Sequence, residues 1–338
     1  MDTPGAHNHL RPAPDRNLAL ELLRVTEAAA MATGRWVGSN ESEGTLAAAV
    51  SAMRSMIGTV EMAGMVVVGG SATDDTTRFA CGETVGEGIG ICYDVAVVPV
   101  DGVNFIVKGL ANAMSYVAVA PLGAMFDPSV CRDMTKLVAG REACGHITLE
   151  KPVHENVHAL AKARQCHVGD ITVGMLARPR HEPLAEEVRD AGARIRFLTC
   201  GDVAASIMAA TTGSGIDMFM GEGTTADAVI AACAVKCLGG TLQGSFLPAD
   251  DADRARLRDA QLDPAWVFGQ SDLVRSEDAF FVLTGITDGE LVRGVRYGPE
   301  TATTDSLAMR ARSGTVRRMR SDHRLDRLAR YSAVDYQH

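Results

Sequence analysis

The feature that most constrains the fold is a repeated order of strand, polar loop and helix in the second half of the chain. The segment "DITVGMLARPRHEPLAEEVRDAGARIRFLTCGDVAASIMAA" contains this order twice, and "GIDMFMGEGTTADAVIAACAVKCLGG" contains it once more. Such alternation is typical of βαβ units, whose strands lie parallel in one sheet. The sequence therefore predicts an α/β protein whose ligand-binding loops follow the carboxyl ends of the strands.

The first half of the chain predicts two helices and three apolar strands. The first helix, "RNLALELLRVTEAAAMATGRWV", has Asp15 as a candidate cap and Gly34 at its end; the second is "GTLAAAVSAMRSMIGTV". The strands are "GMVVVGG", "YDVAVVPV" and "SYVAVAP". We expect a disordered polar leader at 1–14, an N-terminal subdomain at 15–145 and a C-terminal subdomain with a parallel sheet at 146–338.

Charge and composition exclude some classes of function. A net charge of -9 argues against a general nucleic-acid binder. No apolar run reaches the roughly 18 residues that cross a bilayer, and the N-terminus lacks the apolar core of a signal peptide. The eight cysteines form no CxxC pair, and most lie in apolar segments, which indicates reduced core thiols of a cytoplasmic protein.

The basic stretch "RARSGTVRRMRSDHRLDRLAR" near the C-terminus predicts a strand followed by a solvated helical tail. Its alternative role is a site for an anionic small molecule or a partner subunit.

Five loops are candidates for ligand binding: "GGSATDD", "VPVDGVN", "ARPRH", "TCGD" and "GEGTTAD". Four of them follow a predicted strand and precede a predicted helix. Helix N-termini would then direct backbone N–H groups into one crevice, and this arrangement suits an anion such as phosphate.

Several distinctive blocks follow one another along the chain: "ELLRVTEAAA", "LANAMSYVAVA", "ARPRHEPLAEEV", "GDVAASI" and "TATTDSLAMRARSGTVRRMRS". In these blocks, and from about Arg16 to the C-terminus, the chain resembles class II fructose-1,6-bisphosphatases, a branch of the lithium-sensitive phosphatase superfamily. The resemblance implies a layered αβαβα sandwich whose N-terminal subdomain is phosphatase-like. It also implies a homodimer or homotetramer, Mg²⁺ or Mn²⁺, and cleavage of the 1-phosphate from fructose 1,6-bisphosphate.

The match breaks at the positions where the resemblance implies metal ligands. Three of the five implied carboxylates are replaced, by Leu46, Gly70 and Val98. Asp101 and Asp227 remain, and Val103 replaces the threonine that orients the attacking water. These two acids leave open one Mg²⁺ or Mn²⁺ or no metal, because such ions prefer several oxygen ligands. Acids that either replace the lost ligands or are solvated are Glu41, Glu43, Asp74, Asp75 and Glu222.

The residues that the resemblance implies for substrate binding match the family more closely than those that it implies for metal binding. The implied substrate-binding residues are Asp101, Gly102, Val103, Arg132, Arg178, Pro179, Arg180, Cys200, Gly201, Asp202 and Thr224. Arg178 and Arg180 would grip a phosphate, and Asp202 would accept hydrogen bonds from sugar hydroxyls. Cys200 replaces an acid at a helix start, where it is either a thiolate of lowered pKa or an inert small residue. A substrate-facing tyrosine of the family falls on Arg132 or Asp133.

Three functions remain open from the sequence. The first is a repurposed enzyme that binds a sugar phosphate and acts on it by proton transfer, with Asp101, Asp227 and Cys200 as candidate catalytic groups. The second is a pseudo-phosphatase with a binding or regulatory role. The third is a weak sugar phosphatase that uses one metal ion.

Overall fold

The structure is a computed structural model that describes residues 17–69 and 79–331. The following features predicted from the sequence lie outside these residues: the leader at 1–14, the candidate cap Asp15, the implied ligand position Gly70, and the acids Asp74 and Asp75.

Ten α-helices and fourteen β-strands lie in this part of the chain. The helices are α1 (Ala19–Thr33), α2 (Ser42–Ile57), α3 (Val103–Val107), α4 (Val153–Ala163), α5 (Glu182–Asp190), α6 (Asp202–Ala210), α7 (Thr225–Leu238), α8 (Asp251–Asp259), α9 (Gln270–Leu273) and α10 (Leu325–Tyr331). The strands are β1 (Ala63–Val68), β2 (Thr84–Val85), β3 (Cys92–Asp101), β4 (Met114–Pro121), β5 (Asp133–Ala139), β6 (Thr172–Leu176), β7 (Arg194–Leu198), β8 (Met218–Thr224), β9 (Thr241–Phe246), β10 (Val267–Gly269), β11 (Phe280–Gly285), β12 (Arg296–Tyr297), β13 (Thr301–Arg310) and β14 (Thr315–Arg324). The predicted helices and strands of the first half are all present, and Gly34 caps the C-terminus of α1 as expected.

The strands form two sheets. The first has the order β12-β13-β11-β4-β3-β1-β2, with β14 paired to β13, and the second has the order β10-β9-β5-β8-β6-β7. The segment after about residue 279 leaves the second sheet and returns to the first as β11 to β14. The predicted boundary at 145/146 remains a prediction. The two sheets do not separate at a single position in the chain, because β5 belongs to the second sheet and β11 to β14 belong to the first.

The predicted parallel sheet of the second half is in fact mixed. Strands β6, β7 and β8 are parallel, as the βαβ pattern requires, but β5 pairs antiparallel with β8 and with β9. The pattern identified the three parallel strands correctly. It carried no information on β5 and β9, which pair over long sequence separations.

Burial of the helices explains the order of the layers. All nine residues of α6 and most of α7 are buried, because these two helices pack between the two sheets. A helix that is apolar on every side needs such a position. Helices α1 and α2 cover the outer face of the first sheet, and α4 and α5 cover the outer face of the second. The result is the expected layered αβαβα sandwich.

The cysteines match the expectation only in part. All eight are free thiols, but Cys81, Cys92 and Cys144 are exposed and Cys166 is half-buried. The prediction that most are core thiols is therefore wrong, because several lie at the ends of strands or in turns, where the chain reaches the surface. No described helix has both the length and the apolar composition needed to cross a bilayer.

Candidate functional site

The candidate site is a crevice at the carboxyl ends of strands from both sheets. Strands β3, β6, β7 and β8 end there, and α3, α5, α6 and α7 begin within a few residues of those ends. Four of the five predicted loops therefore meet the expected strand–loop–helix arrangement. The fifth, "GGSATDD", lies almost entirely outside the described residues.

Asp202 is the most deeply buried acid of the crevice. It begins α6, and its Oδ2 lies 2.6 Å from Nζ of Lys136 in β5, with 2% and 0% of the two side chains exposed. A Cβ added at Gly223 would lie 1.4 Å from this same oxygen, so only glycine leaves room for the carboxylate. The other oxygen, Oδ1, is buried without a hydrogen-bond partner, and Nη2 of Arg178 stands 3.7 Å from it.

Asp101 is half-buried at the end of β3, and its pKa is raised to about 7. Burial is the main cause, followed by the negative charges of Asp227 and Asp202; a hydrogen bond from Tyr116 and the charge of Arg178 act in the opposite direction. A Cβ added at Gly201 would lie 2.5 Å from Asp101 Oδ2, so the carboxylate packs directly against the start of α6. Near neutral pH this carboxyl can therefore both accept and donate a proton.

Asp227 lies in the first turn of α7 beside Asp101. Its backbone N–H donates to the Oγ1 of Thr224, which caps the helix at 3.0 Å. Burial raises the pKa of Asp227, although Lys136, Thr224 and Arg178 favour its charged form. The crevice thus contains two neighbouring carboxyls that both resist ionisation.

Arg178 and Arg180 meet at one backbone carbonyl. Nη2 of Arg180 lies 2.9 Å and Nη1 of Arg178 lies 3.4 Å from the oxygen of Glu222. The N–H of Glu222 donates to Nε2 of the buried His181 at 3.0 Å, and the other ring nitrogen lies 3.0 Å from the carbonyl of Leu176. Because Nε2 accepts a hydrogen bond, Nδ1 carries the proton and donates to that carbonyl. His181 therefore fixes the Glu222 peptide, which in turn positions both arginines.

Cys200 does not meet the expectation of an activated thiolate. Its side chain is buried, and burial, together with the negative charges of Glu290 and Asp101, raises its pKa to about 12. A helix start lowers a thiol pKa only where no such burial and acidic surroundings oppose it. The thiol is protonated at neutral pH, so the alternative interpretation, a small inert residue, holds for this position.

The remaining implied substrate contacts lie around the same crevice. Arg132 is largely exposed and pairs with Asp133 at 2.9 Å, while its carbonyl accepts from the N–H of Thr225 at the start of α7. Thr224 is exposed at the end of β8, opposite Asp133 in the sheet. Gly102 adopts a φ of 86°, in the left-handed region that favours glycine, between β3 and α3, and Pro179 opens the turn that leads to α5.

Two of the implied metal positions, Leu46 and Val98, lie in apolar surroundings. Leu46, Val98 and Val103 line a cavity of about 240 Å³, whose other walls include Val50 and Phe79. Within 17–69 and 79–331, no group of three or more His, Cys, Asp or Glu is arranged to hold a metal ion. Aliphatic side chains offer no ligand to a hard divalent cation. The described residues at these positions therefore do not fit metal ions held in the way that the resemblance implies.

The nearby acids do not replace the lost ligands in the described structure. Glu41 and Glu43 are exposed at the start of α2, and Glu222 pairs with Arg180, with 3.6 Å between Oε2 and Nε.

Three residues of the crevice were missed from the sequence: Lys136, Tyr116 and His181. A lysine within the apolar strand "MTKLVA" was a usable signal, because lysine is almost never fully buried unless it is paired. Tyr116 and His181 gave no signal of their own, since a tyrosine in an apolar strand and a histidine after an arginine both have many ordinary explanations.

Comparison with known proteins places this chain. Residues 16–323 match the family described as "Bacterial fructose-1,6-bisphosphatase, glpX-encoded". The chain is 34% identical over 326 residues to fructose-1,6-bisphosphatase 1 class 2 of Escherichia coli strain K12, covering 92% of this chain and 96% of that protein. The class 2 enzymes of Escherichia coli O6:H1 strain CFT073 and of Shigella flexneri match with the same identity and the same coverage. The chain therefore belongs to the class II fructose-1,6-bisphosphatase family.

Proposed function

We propose that this protein binds a phosphorylated sugar in the crevice and acts on it by proton transfer through Asp101, without a pair of divalent ions. The observation that carries the proposal is the Asp101 carboxyl, whose pKa is raised to about 7 beside Asp202 and Asp227. Family membership supports a role in carbohydrate metabolism, and a divalent ion is compatible with it.

The binding half of the proposal rests on charge and on an open acceptor. Arg178 and Arg180 share the Glu222 carbonyl, and 40% and 47% of their side chains are exposed, so their other N–H groups are available to a phosphate. The start of α6 adds backbone N–H groups. Asp202 Oδ1, buried and without a hydrogen-bond partner, would accept from a sugar hydroxyl after a small movement of its surroundings.

The chemical half rests on what Asp101 can do at neutral pH. A carboxyl that is about half ionised near pH 7 can take a proton from a carbon next to a carbonyl and return it to the neighbouring carbon. In an aldose–ketose isomerisation this carbon proton transfer through Asp101 is accompanied by movement of the hydroxyl proton from one oxygen to the other, which the neighbouring Asp227 would carry, so no proton is gained or lost overall. Elimination of a hydroxyl group as water is the related reaction that the same pair of groups would support.

The apolar cavity argues against the hydrolysis that the family name describes. Leu46 and Val98 stand where the resemblance implies carboxylates, and they share a wall with Phe79 and Val50. Val98, Pro99 and Val100 of this cavity directly precede Asp101 in β3, and apolar surroundings favour the uncharged form of a carboxyl. We infer a cytoplasmic homo-oligomer from membership of the class II fructose-1,6-bisphosphatase family.

A screen of sugar phosphates, with and without Mn²⁺, tests the proposal. Substrate disappearance and release of inorganic phosphate are followed together in the wild type, in Asp101→Asn, and in Asp190→Asn as a control at an exposed acid of α5. Disappearance without phosphate release, lost in Asp101→Asn alone, supports the proposal. Mn²⁺-dependent phosphate release would instead support a single-metal phosphatase, and binding without turnover would support a regulatory role.

A further inference from the structure

A second cavity, of about 320 Å³, lies between strands of the first sheet and the loop that follows β11. Its lining comprises Arg293, Gly294, Arg296, Thr303, Thr304, Asp305 and Arg320. None of these residues belongs to the crevice described above. The cavity is at the same end of the sheet as Asp101, because Asp101 pairs with Met114, Met114 with Gly285, and the adjacent ladder leads to Asp305 and Arg320. Four strand spacings of about 4.8 Å put the two sites roughly 19 Å apart.

The backbone around Arg293 is held firmly by two glycines. A Cβ added at Gly285 would lie 2.2 Å from the carbonyl oxygen of Arg293, and one added at Gly294 would lie 2.6 Å from the backbone of Thr287. The N–H of Arg293 also donates to Asp305 Oδ2 at 2.8 Å. The close approach of the loop to β11 therefore fixes the backbone from which the Arg293 side chain projects, although the side chain itself is exposed.

The three arginines of this cavity differ in the ion pairs and hydrogen bonds that their side chains form. Arg296 forms an ion pair with Asp288, whose pKa is lowered by a backbone hydrogen bond from Gly294 and by Arg296. By contrast, the side chains of Arg293 and Arg320 make no hydrogen bond or ion pair within the described part of the chain. Arg320 lies directly opposite Asp305 on β13, and the backbone N–H of Arg293 donates to the Asp305 carboxylate, so both arginines belong to residues that adjoin Asp305 in the wall of the cavity.

We propose that this cavity binds a small phosphate monoester that also carries hydroxyl groups. Arg293 and Arg320 would hold the phosphate, since paired guanidinium groups match its geometry and charge. Asp305 would repel a bare polyanion, but it can accept a hydrogen bond from a ligand hydroxyl. The site therefore favours a phosphate ester with hydroxyls over inorganic phosphate alone. This inference does not depend on the chemistry proposed for Asp101.

The test measures the second site with the crevice disabled. Arg178→Ala/Arg180→Ala protein is titrated with ribose 5-phosphate and with inorganic phosphate, and ligand binding is followed by the shift in unfolding temperature. We expect saturable stabilisation, with the ester binding about tenfold more tightly because of one hydroxyl bond to a carboxylate. Adding Arg293→Ala/Arg320→Ala is expected to weaken ribose 5-phosphate binding at least about tenfold, since it removes charged hydrogen bonds.

The matched control is Arg317→Ala in the same crevice-disabled protein. Arg317 lies on the same strand, β14, and its side chain is exposed on the opposite face from Arg320. Arg317→Ala removes one positive charge, as each of Arg293→Ala and Arg320→Ala does, and it is expected to leave binding unchanged. Arg293→Lys/Arg320→Lys keeps both positive charges and so controls for a folding defect in the alanine variant. Its affinity for ribose 5-phosphate is expected to lie between that of the crevice-disabled protein and that of the protein with Arg293→Ala/Arg320→Ala added. The proposal is overturned if the crevice-disabled protein shows no stabilisation, or if Arg317→Ala weakens binding as much as Arg293→Ala/Arg320→Ala.

Discussion

Replacing Lys136 with methionine should destabilise the protein severely, because it leaves the Asp202 charge buried without its partner. The Nζ to Oδ2 distance is 2.6 Å, and the two side chains are 0% and 2% exposed. Removing one member of such a pair costs about 3–5 kcal/mol. That is a large fraction of the roughly 5–15 kcal/mol that stabilises a typical folded protein. Arg178 stands 3.7 Å from the other oxygen and is 40% exposed, so it cannot replace the lysine.

The assay is urea unfolding at pH 7.5, followed by circular dichroism, for Lys136→Met, Asp202→Leu and the double variant. Removing both charges should restore much of the lost stability, because replacement of a buried pair by apolar groups is often neutral. The exposed Lys162 of α4 supplies the control: Lys162→Met should change the free energy of unfolding by less than about 0.5 kcal/mol. The reasoning is refuted if Lys136→Met costs under about 1 kcal/mol, or if the double variant loses the sum of the two single losses.

Three further predictions follow from the crevice. Burial beside Asp227 and Asp202 raises the pKa of Asp101 from an ordinary 3.8 to about 7 in the folded protein. Between about pH 4 and pH 7 the carboxyl is therefore ionised in the unfolded chain but still protonated in the folded protein, so the free energy of unfolding falls as the pH rises through this range. Asp101→Asn should therefore raise the free energy of unfolding at pH 8, by up to about 4 kcal/mol, but not at pH 4; equal effects at both pH values in urea titrations would contradict this. Leu46→Asp/Val98→Asp puts two carboxylates into an apolar cavity and should lower the unfolding temperature. Millimolar Mn²⁺ should restore the unfolding temperature of this variant. Mn²⁺ should not change the unfolding temperature of the isosteric control Leu46→Asn/Val98→Asn. His181→Ala removes the hydrogen bond that holds the Glu222 peptide. It should lower the free energy of unfolding by about 1–3 kcal/mol and weaken sugar-phosphate binding. The control His158→Ala, at an exposed histidine, should change neither quantity.

The positions of the crevice loops were predictable because local patterns determine them. The loop "TCGD" follows the apolar strand β7 and precedes the apolar helix α6, and "GEGTTAD" stands in the same relation to β8 and α7. In βαβ units the carboxyl ends of such strands meet at one edge of a sheet. Arg178, Asp202 and Asp227, which the family resemblance implied as site residues, lie in the predicted loops. The role of Cys200 was not determined by the sequence, because a thiol pKa depends on burial by residues far away in the chain.

The sequence by itself determined the βαβ order, the helices and strands of the first half, and the aliphatic nature of Leu46 and Val98, where the resemblance implies carboxylates. Each of these is a property of neighbouring residues or of residue type. Only the tertiary structure decided that Lys136 neutralises Asp202, that His181 fixes the peptide between two arginines, and that two further carboxylates lie beside Asp101. It also brought the last strands back to the first sheet and so created the cavity beside Arg293. These features join residues that are tens to hundreds of positions apart, and the charges and desolvation that define them exist only once the layers have packed.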